Sequence, residues 1–149
     1  MRAYTTTLHS LLENDTERFI VAKEGFEAKP YRCPAGKLTI GIGWNLDAGI
    51  TERAALLVFR DQIKTITDAL TAKFPWFGDL NEARRAALIS MAFQMGLAGL
   101  YGFRQTLAYV EAGQYEAAAA GMLASKWARQ TPRRARETAY MMRYGRFPE

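Results

Sequence analysis

One stretch of this chain departs from helical patterning, and the rest must fold around it. Residues 24–44 read EGFEAKPYRCPAGKLTIGIGW. The stretch opens where the apolar segment FIVAKE ends at a charged residue followed by Gly25. Glycine suits the position after a helix, where the backbone must turn left-handed. Glu24 is then expected at the negative end of a helix dipole, which disfavours its ionised form. A carboxyl that holds its proton near neutral pH is what a general acid requires. Beyond it, Tyr31-Arg32-Cys33 reads as a short strand and Pro34-Ala35-Gly36-Lys37 as a turn. Residues 38–44 alternate as a second strand. Leu38, Ile40 and Ile42 fall on one face of it, and Thr39, Gly41 and Gly43 on the other. The glycines are expected to leave that second face open to a ligand.

Outside this stretch the pattern is helical. Residues 5–13 read as a short helix with Leu8, Leu11 and Leu12 inward. Asn14 with Glu17 is a capping-box signal for a second helix ending near Glu24. Thr51 is a candidate N-cap for a helical stretch to Lys73, broken near Arg60, with Ile63, Ile66 and Leu70 at helical spacing. Asp79 with Glu82 signals a helix to Met95, whose part from Ala86 to Phe93 is apolar nearly all round and is the expected buried centre. Gly96, Gly99 and Gly102 read as a loop. Helices are expected over 103–112, 115–123 and 132–143, with Pro132 in a first turn. The expected fold class is α+β, mainly α.

A chain of 149 residues can bury roughly 70% of its unfolded surface, enough for a core without covalent staples. A single cysteine excludes an internal disulfide, which suits a reducing compartment. With only one histidine, His9, no Cys/His metal site is expected, and no cofactor is implied. The longest apolar run falls far short of the ~20 residues of a membrane span, and the N-terminus lacks a signal-peptide core. Net charge is +5. Up to Ser125 there are thirteen basic and thirteen acidic residues, and from Lys126 onward seven and two. A basic C-terminal face can serve an anionic wall polymer, nucleic acid or a membrane surface, or be a solvated helical face. No recognised nucleic-acid motif is present, and nucleic acid is not an expected partner.

Glu24, eight residues, Cys33, five residues, Thr39 is a spacing that resembles the phage-type lysozymes (endolysins, glycoside hydrolase family 24). That family carries EGFxxxxYxCPAGxxTIGxG. Phe93-Gln94-Met95-Gly96, Gly102-Phe103-Arg104-Gln105-Thr106, Ser125-Lys126-Trp127, Gln130-Thr131-Pro132 and Arg134-Ala135 extend the match in order. The resemblance implies a lysozyme-like two-lobed fold, one domain over 1–149. Its small hairpin lobe would span about 15–59, with a helical lobe over about 1–14 plus 60–149 and the first helix packed on the larger lobe.

The implied activity is a muramidase acting on bacterial peptidoglycan. Glu24 is the expected acid; Glu27 is a rival expected to face solvent. Thr39 would hold the attacking water, although a strand threonine is ordinarily just a β-former. Cys33 stands where many members carry Asp, so the usual second carboxylate is missing. It is expected to be a polar partner of the catalytic water, with covalent attack as the alternative; its thiol is mostly neutral at pH 7 unless Arg32 or Lys37 acts on it. Phe93, Gln94 and Thr106 match substrate-groove positions, and Arg134 matches an Arg beside the catalytic Glu. Trp44 replaces a His and would pack or stack on sugar. Trp127 is expected in the core. Gly121 falls where some relatives carry a sugar-contacting side chain. The resemblance further implies a monomer made in the host cytoplasm that reaches the periplasm through a holin, without direct holin contact. A non-catalytic wall-binding module is the alternative, and a nucleic-acid binder using the basic face a third reading.

Overall fold

The computed structural model describes residues 5–149, and residues 1–4 of the expected 1–14 segment lie outside it. Among the described residues the chain is mostly helical (68%) with one small three-stranded antiparallel sheet, the expected α+β, mainly α class. It divides between Ala55 and Leu56 into two compact units.

In the first unit, α1 (Thr6–Leu11) is capped by the Thr5 side chain. It is shorter than the expected 5–13. Leu8 and Leu12 are half-buried, but Leu11 is exposed rather than inward. The next helix, α2 (Asp15–Glu24), starts on the capping box: Asn14 Oδ1 accepts the Glu17 N–H at 2.9 Å. The Glu17 carboxylate in turn accepts the Glu13 N–H at 2.7 Å. These bonds satisfy donors that a helix start leaves without partners.

The sheet comprises β1 (Glu27–Arg32), β2 (Leu38–Gly41) and β3 (Trp44–Asn45) in that order. Tyr31 pairs with Thr39 across β1 and β2, and Thr39 with Asn45 across β2 and β3. The expected single strand over 38–44 is thus folded back on itself. Gly41 and Gly43 both take positive φ and turn the chain instead of lining an open strand face. Alternation stops at Gly41, and Ile42 sits exposed in the turn.

Helix α3 (Glu52–Lys73) is capped by Thr51, whose Oγ1 accepts the Ala54 N–H at 3.2 Å. It carries the division between the units and runs unbroken through Arg60, where a break was expected. Nothing at that point is a helix breaker; the residues are straight-chain or apolar, and local propensity is satisfied.

The second unit holds the core. Helix α4 (Glu82–Tyr101) is capped by Asn81, not Asp79, with Asn81 Oδ1 accepting the Arg84 N–H at 3.0 Å. Asp79 instead closes a 3-10 turn over Phe77–Asp79. The helix extends past Met95, but Gly96 (φ 81°, ψ 161°) interrupts it, so two segments run in series. Gly99 lies inside the second segment and not in a loop. Then come α5 (Arg104–Glu111), α6 (Tyr115–Leu123), α7 (Lys126–Gln130) and α8 (Pro132–Tyr144). The short α7 has no counterpart in the sequence reading; the Ser125 hydroxyl caps it at Ala128 N–H, 3.1 Å. Among the described residues, Leu70, Phe77, Leu88, Met91, Leu100, Val110, Met122 and Met142 are the large fully buried side chains, with α4 and α8 packed together. As expected, Ala87, Leu88, Met91 and Ala92 put the middle of α4 at the centre of this core.

Candidate active site

The first unit positions Glu24, Cys33, Thr39 and Trp44. Glu24 is the last residue of α2, and the backbone leaves the helix through Gly25, whose N–H donates to Val21 O at 2.8 Å. Its exposed side chain reaches the turn between β2 and β3. A Cβ placed on Gly43 would lie 2.5 Å from Glu24 Oε2. Gly43 therefore leaves the space that the carboxyl end occupies. Glu27, the rival acid, opens β1 opposite Gly41 and is half-buried rather than solvent-facing.

Cys33 and Thr39 meet at the mouth of the first hairpin. A tight turn closes there: Gly36 N–H donates to Cys33 O at 2.7 Å and Cys33 N–H to Lys37 O at 3.0 Å. The half-buried thiol is held below its ordinary range, chiefly by the backbone N–H of Lys37. The Ala35 backbone, the Thr39 hydroxyl and the Lys37 charge act in the same direction, while burial opposes them. Lys37 was expected to act, if at all, through its side chain; its main effect comes from its backbone.

Thr39 is buried, and its Oγ1 donates to Lys37 O at 3.0 Å. A hydroxyl has one proton to give. Thr39 can spend it on the Lys37 carbonyl or on an ionised Cys33, and its lone pairs stay available to accept from a third group. Trp44, on β3, donates its indole N–H to Gly49 O at 3.1 Å and is partly exposed.

The second unit holds the other candidates. Phe93 is 40% exposed, with its ring edge-on to Phe59 at 5.7 Å, so it is not an ordinary core residue. Gln94 is exposed, and its Oε1 accepts the indole N–H of buried Trp127 at 2.8 Å. Thr106 is buried, and its Oγ1 lies where a Cβ on Gly121 would come within 2.5 Å. The missing side chain at Gly121 thus makes room for Thr106.

Arg134, in the first turns of α8, grips Ser90 on α4. Nη2 donates to Ser90 Oγ at 3.0 Å and to Ser90 O at 3.2 Å, and Nε reaches Ser90 Oγ at 3.3 Å. Ser90 was not singled out from sequence; a serine inside an apolar helix carries no local signal of an arginine 44 positions away. Other members of the basic C-terminal segment are also engaged. Arg133 pairs with Glu137, Arg143 with Glu116, and Arg146 Nε donates to Tyr140 Oη.

The model of the family described as phage lysozyme matches residues 21–138, which include every site residue named above. This chain belongs to the phage lysozyme family. A curated relative, probable T4-type lysozyme 1 of Dictyostelium discoideum, is 32% identical over 153 aligned residues, covering 82% of this chain and 89% of its own. Membership of the phage lysozymes carries muramidase-type peptidoglycan hydrolysis, a glycosidase activity, as the class of reaction. In this phage lysozyme the first unit carries the Glu24 carboxyl against Gly43 and the Cys33 thiol beside the Thr39 hydroxyl.

Proposed function

We propose that this phage lysozyme cuts the β-1,4 bond between N-acetylmuramic acid and N-acetylglucosamine. Glu24 protonates the leaving oxygen as general acid. A water held by Thr39 and Cys33 attacks the anomeric carbon from the opposite face as the glycosidic C–O bond breaks, and releases its proton to solvent, the inverting scheme. What supports this reading is the meeting of Cys33 with Thr39 at the hairpin mouth, in the same small unit that lays Glu24 against Gly43. Cys33 acts as a polar partner of the water, its thiol held below the ordinary range chiefly by the Lys37 backbone N–H, with no second carboxylate at that position. Phe93, Gln94, Thr106, Arg134 and Trp44 contribute substrate contacts. The physiological role is lysis of a bacterial host from within, the protein crossing from cytoplasm to periplasm once a holin has opened the way.

The test is lysis of outer-membrane-permeabilised Gram-negative cells by wild type, Glu24→Gln, Cys33→Ser and Thr39→Ala. Near-total loss is expected for Glu24→Gln and partial loss for the other two. A Glu24→Gln protein as active as wild type overturns the assignment. Equal inertness of both would leave a wall-binding module as the reading. NMR of the first product anomer separates inversion from retention.

A further inference from the structure

We propose that the helical unit carries a second wall-binding site, in a cavity of about 400 Å³ lined by Lys73, Phe74, Trp76, Tyr101, Arg104 and Glu111. Its ligand is a peptidoglycan strand segment: an N-acetylated hexopyranose ring with its carboxylate-bearing peptide stem. None of these residues belongs to the machinery assigned above. The proposal rests on the muramidase reading only for the identity of the polymer.

Three elements build the cavity. Lys73 ends α3, and Phe74 and Trp76 follow it around Pro75. Tyr101 ends α4. Arg104, Ala108 and Glu111 recur on one face of α5 at helical spacing. The rings form one apolar wall. Phe74 stacks on Trp76 at 4.8 Å and meets Tyr101 edge-on at 5.8 Å. Aromatic walls with a few convergent polar groups are the ordinary lining of small-ligand sites. The apolar face of a pyranose ring is suited to such a wall, and its hydroxyls to the polar rim.

Hydrophobic packing accounts for the rings, which lie against the core. It does not account for the charges. The ammonium of Lys73 sits 4.6 Å from the Tyr101 ring centre and 5.9 Å from that of Phe74, so aromatic faces and no carboxylate hold it. The side chains of Arg104 and Glu111 make no hydrogen bond or ion pair among the described residues. Arg104 is also the first residue of α5, whose first turn contains no acidic side chain. A cation there faces the positive end of the helix dipole and works against helix stability. A local rule broken without an internal compensation marks a functional position. Two cations and a helix start around an aromatic wall ask for an anion attached to an apolar face. Stem carboxylates would meet Lys73 and Arg104, and Glu111 would accept from a sugar hydroxyl or stem amide. A site of this kind holds the enzyme on an insoluble polymer between cuts, because a second contact on one chain raises retention through effective concentration.

The experiment is co-sedimentation with purified insoluble peptidoglycan in the Glu24→Gln background, where the polymer stays intact. Arg104→Ala, Lys73→Ala and Trp76→Ala are each expected to weaken retention about fivefold. Arg53→Ala, which removes the same charge from the exposed first turn of α3, leaves retention unchanged. With Glu24 present, Arg104→Ala should cut short soluble glycan fragments at the wild-type rate while clearing insoluble peptidoglycan more slowly. Arg104 and Lys73 are exposed, so their variants keep the fold even if Trp76→Ala does not. Full retention by Arg104→Ala and Lys73→Ala, or an equal loss in Arg53→Ala, overturns the second site. Failure of the Glu24-intact wild type to cut peptidoglycan at all would instead overturn the muramidase reading.

Discussion

Glu24 and Gly43 are sterically matched: the carboxyl oxygen Oε2 occupies the volume a Cβ at position 43 would take, 2.5 Å away. Gly43 also holds φ at +68°, where a side chain is strained. Gly43→Ala therefore carries two costs. Backbone strain should lower stability by about 1 kcal/mol, read as a shift in the urea midpoint. The displaced carboxyl should lower lysis at least about tenfold, since misplacing a catalytic group by an ångström costs more than that. An activity loss no larger than the fraction unfolded would contradict the pairing.

Cys33 gives a pH signature. Its thiol is depressed, with the Lys37 backbone N–H as the main cause and the Thr39 hydroxyl as a smaller one. Alkylation by iodoacetamide, which reads the thiolate, should rise with a midpoint below the ~8.5 of a free cysteine. Thr39→Ala should move that midpoint up. The stability linkage has the same sign. A folded value below the unfolded one contributes fully above the unfolded value and is lost as pH falls through the folded value. Cys33→Ser should thus lose ground to wild type on going from neutral to alkaline pH. A midpoint at or above that of the denatured chain sinks the argument.

Trp127 donates to Gln94 at 2.8 Å while itself buried. Gln94→Ala removes the acceptor and should cost about 1 kcal/mol, at the low end because water can reach the exposed position. Gln94→Glu keeps an acceptor oxygen and should retain most of that stability. Thermal melts of the pair decide it; identical melting temperatures for both variants would mean the bond contributes nothing.

Arg84 closes the C-terminal end of α8. Its Nε donates to Met142 O at 2.9 Å and its Nη2 to Arg143 O at 3.3 Å, and the guanidinium stacks 3.6 Å from the Tyr115 ring centre. Asn81 Nδ2 adds a bond to Gly145 O at 2.8 Å. Cations at a helix C-terminus satisfy carbonyls and complement the dipole. Arg84→Ala should cost about 2–3 kcal/mol. Arg84→Lys should recover little, because an ammonium cannot fork to two carbonyls and stack at once. Chemical denaturation monitored at the tryptophans measures both; full recovery by lysine would refute the fork.

Most of the helices could be read in the chain because their signals are local. The caps Asn14 and Thr51 act within three residues of themselves, and α6 follows its apolar run. Errors came where a local signal had a competitor nearby. Asp79 and Asn81 both precede glutamate or an apolar run at cap spacing, and only Asn81 is engaged. At residues 38–44 the alternating pattern is genuine up to Gly41, but two glycines admit a turn as readily as a strand, and pairing of β3 with β2 selects the turn. At the site, Cys33 and Thr39 were singled out by the resemblance to the family's spacing, and the hairpin brings these positions, six apart, together.

By itself the sequence determined where most of the helices lie, the central placement of α4 and the turn that follows Cys33. Each rests on contacts between near neighbours in the chain, where composition and period specify geometry directly. Tertiary structure alone decided that Ser90 grips Arg134 across 44 positions, that Gln94 receives Trp127 across 33, and that Asn81 reaches Gly145 across 64. Those partners are ordinary polar residues with no local pattern. Their pairing is fixed only when packing of the buried faces of α4, α7 and α8 brings them within hydrogen-bond distance.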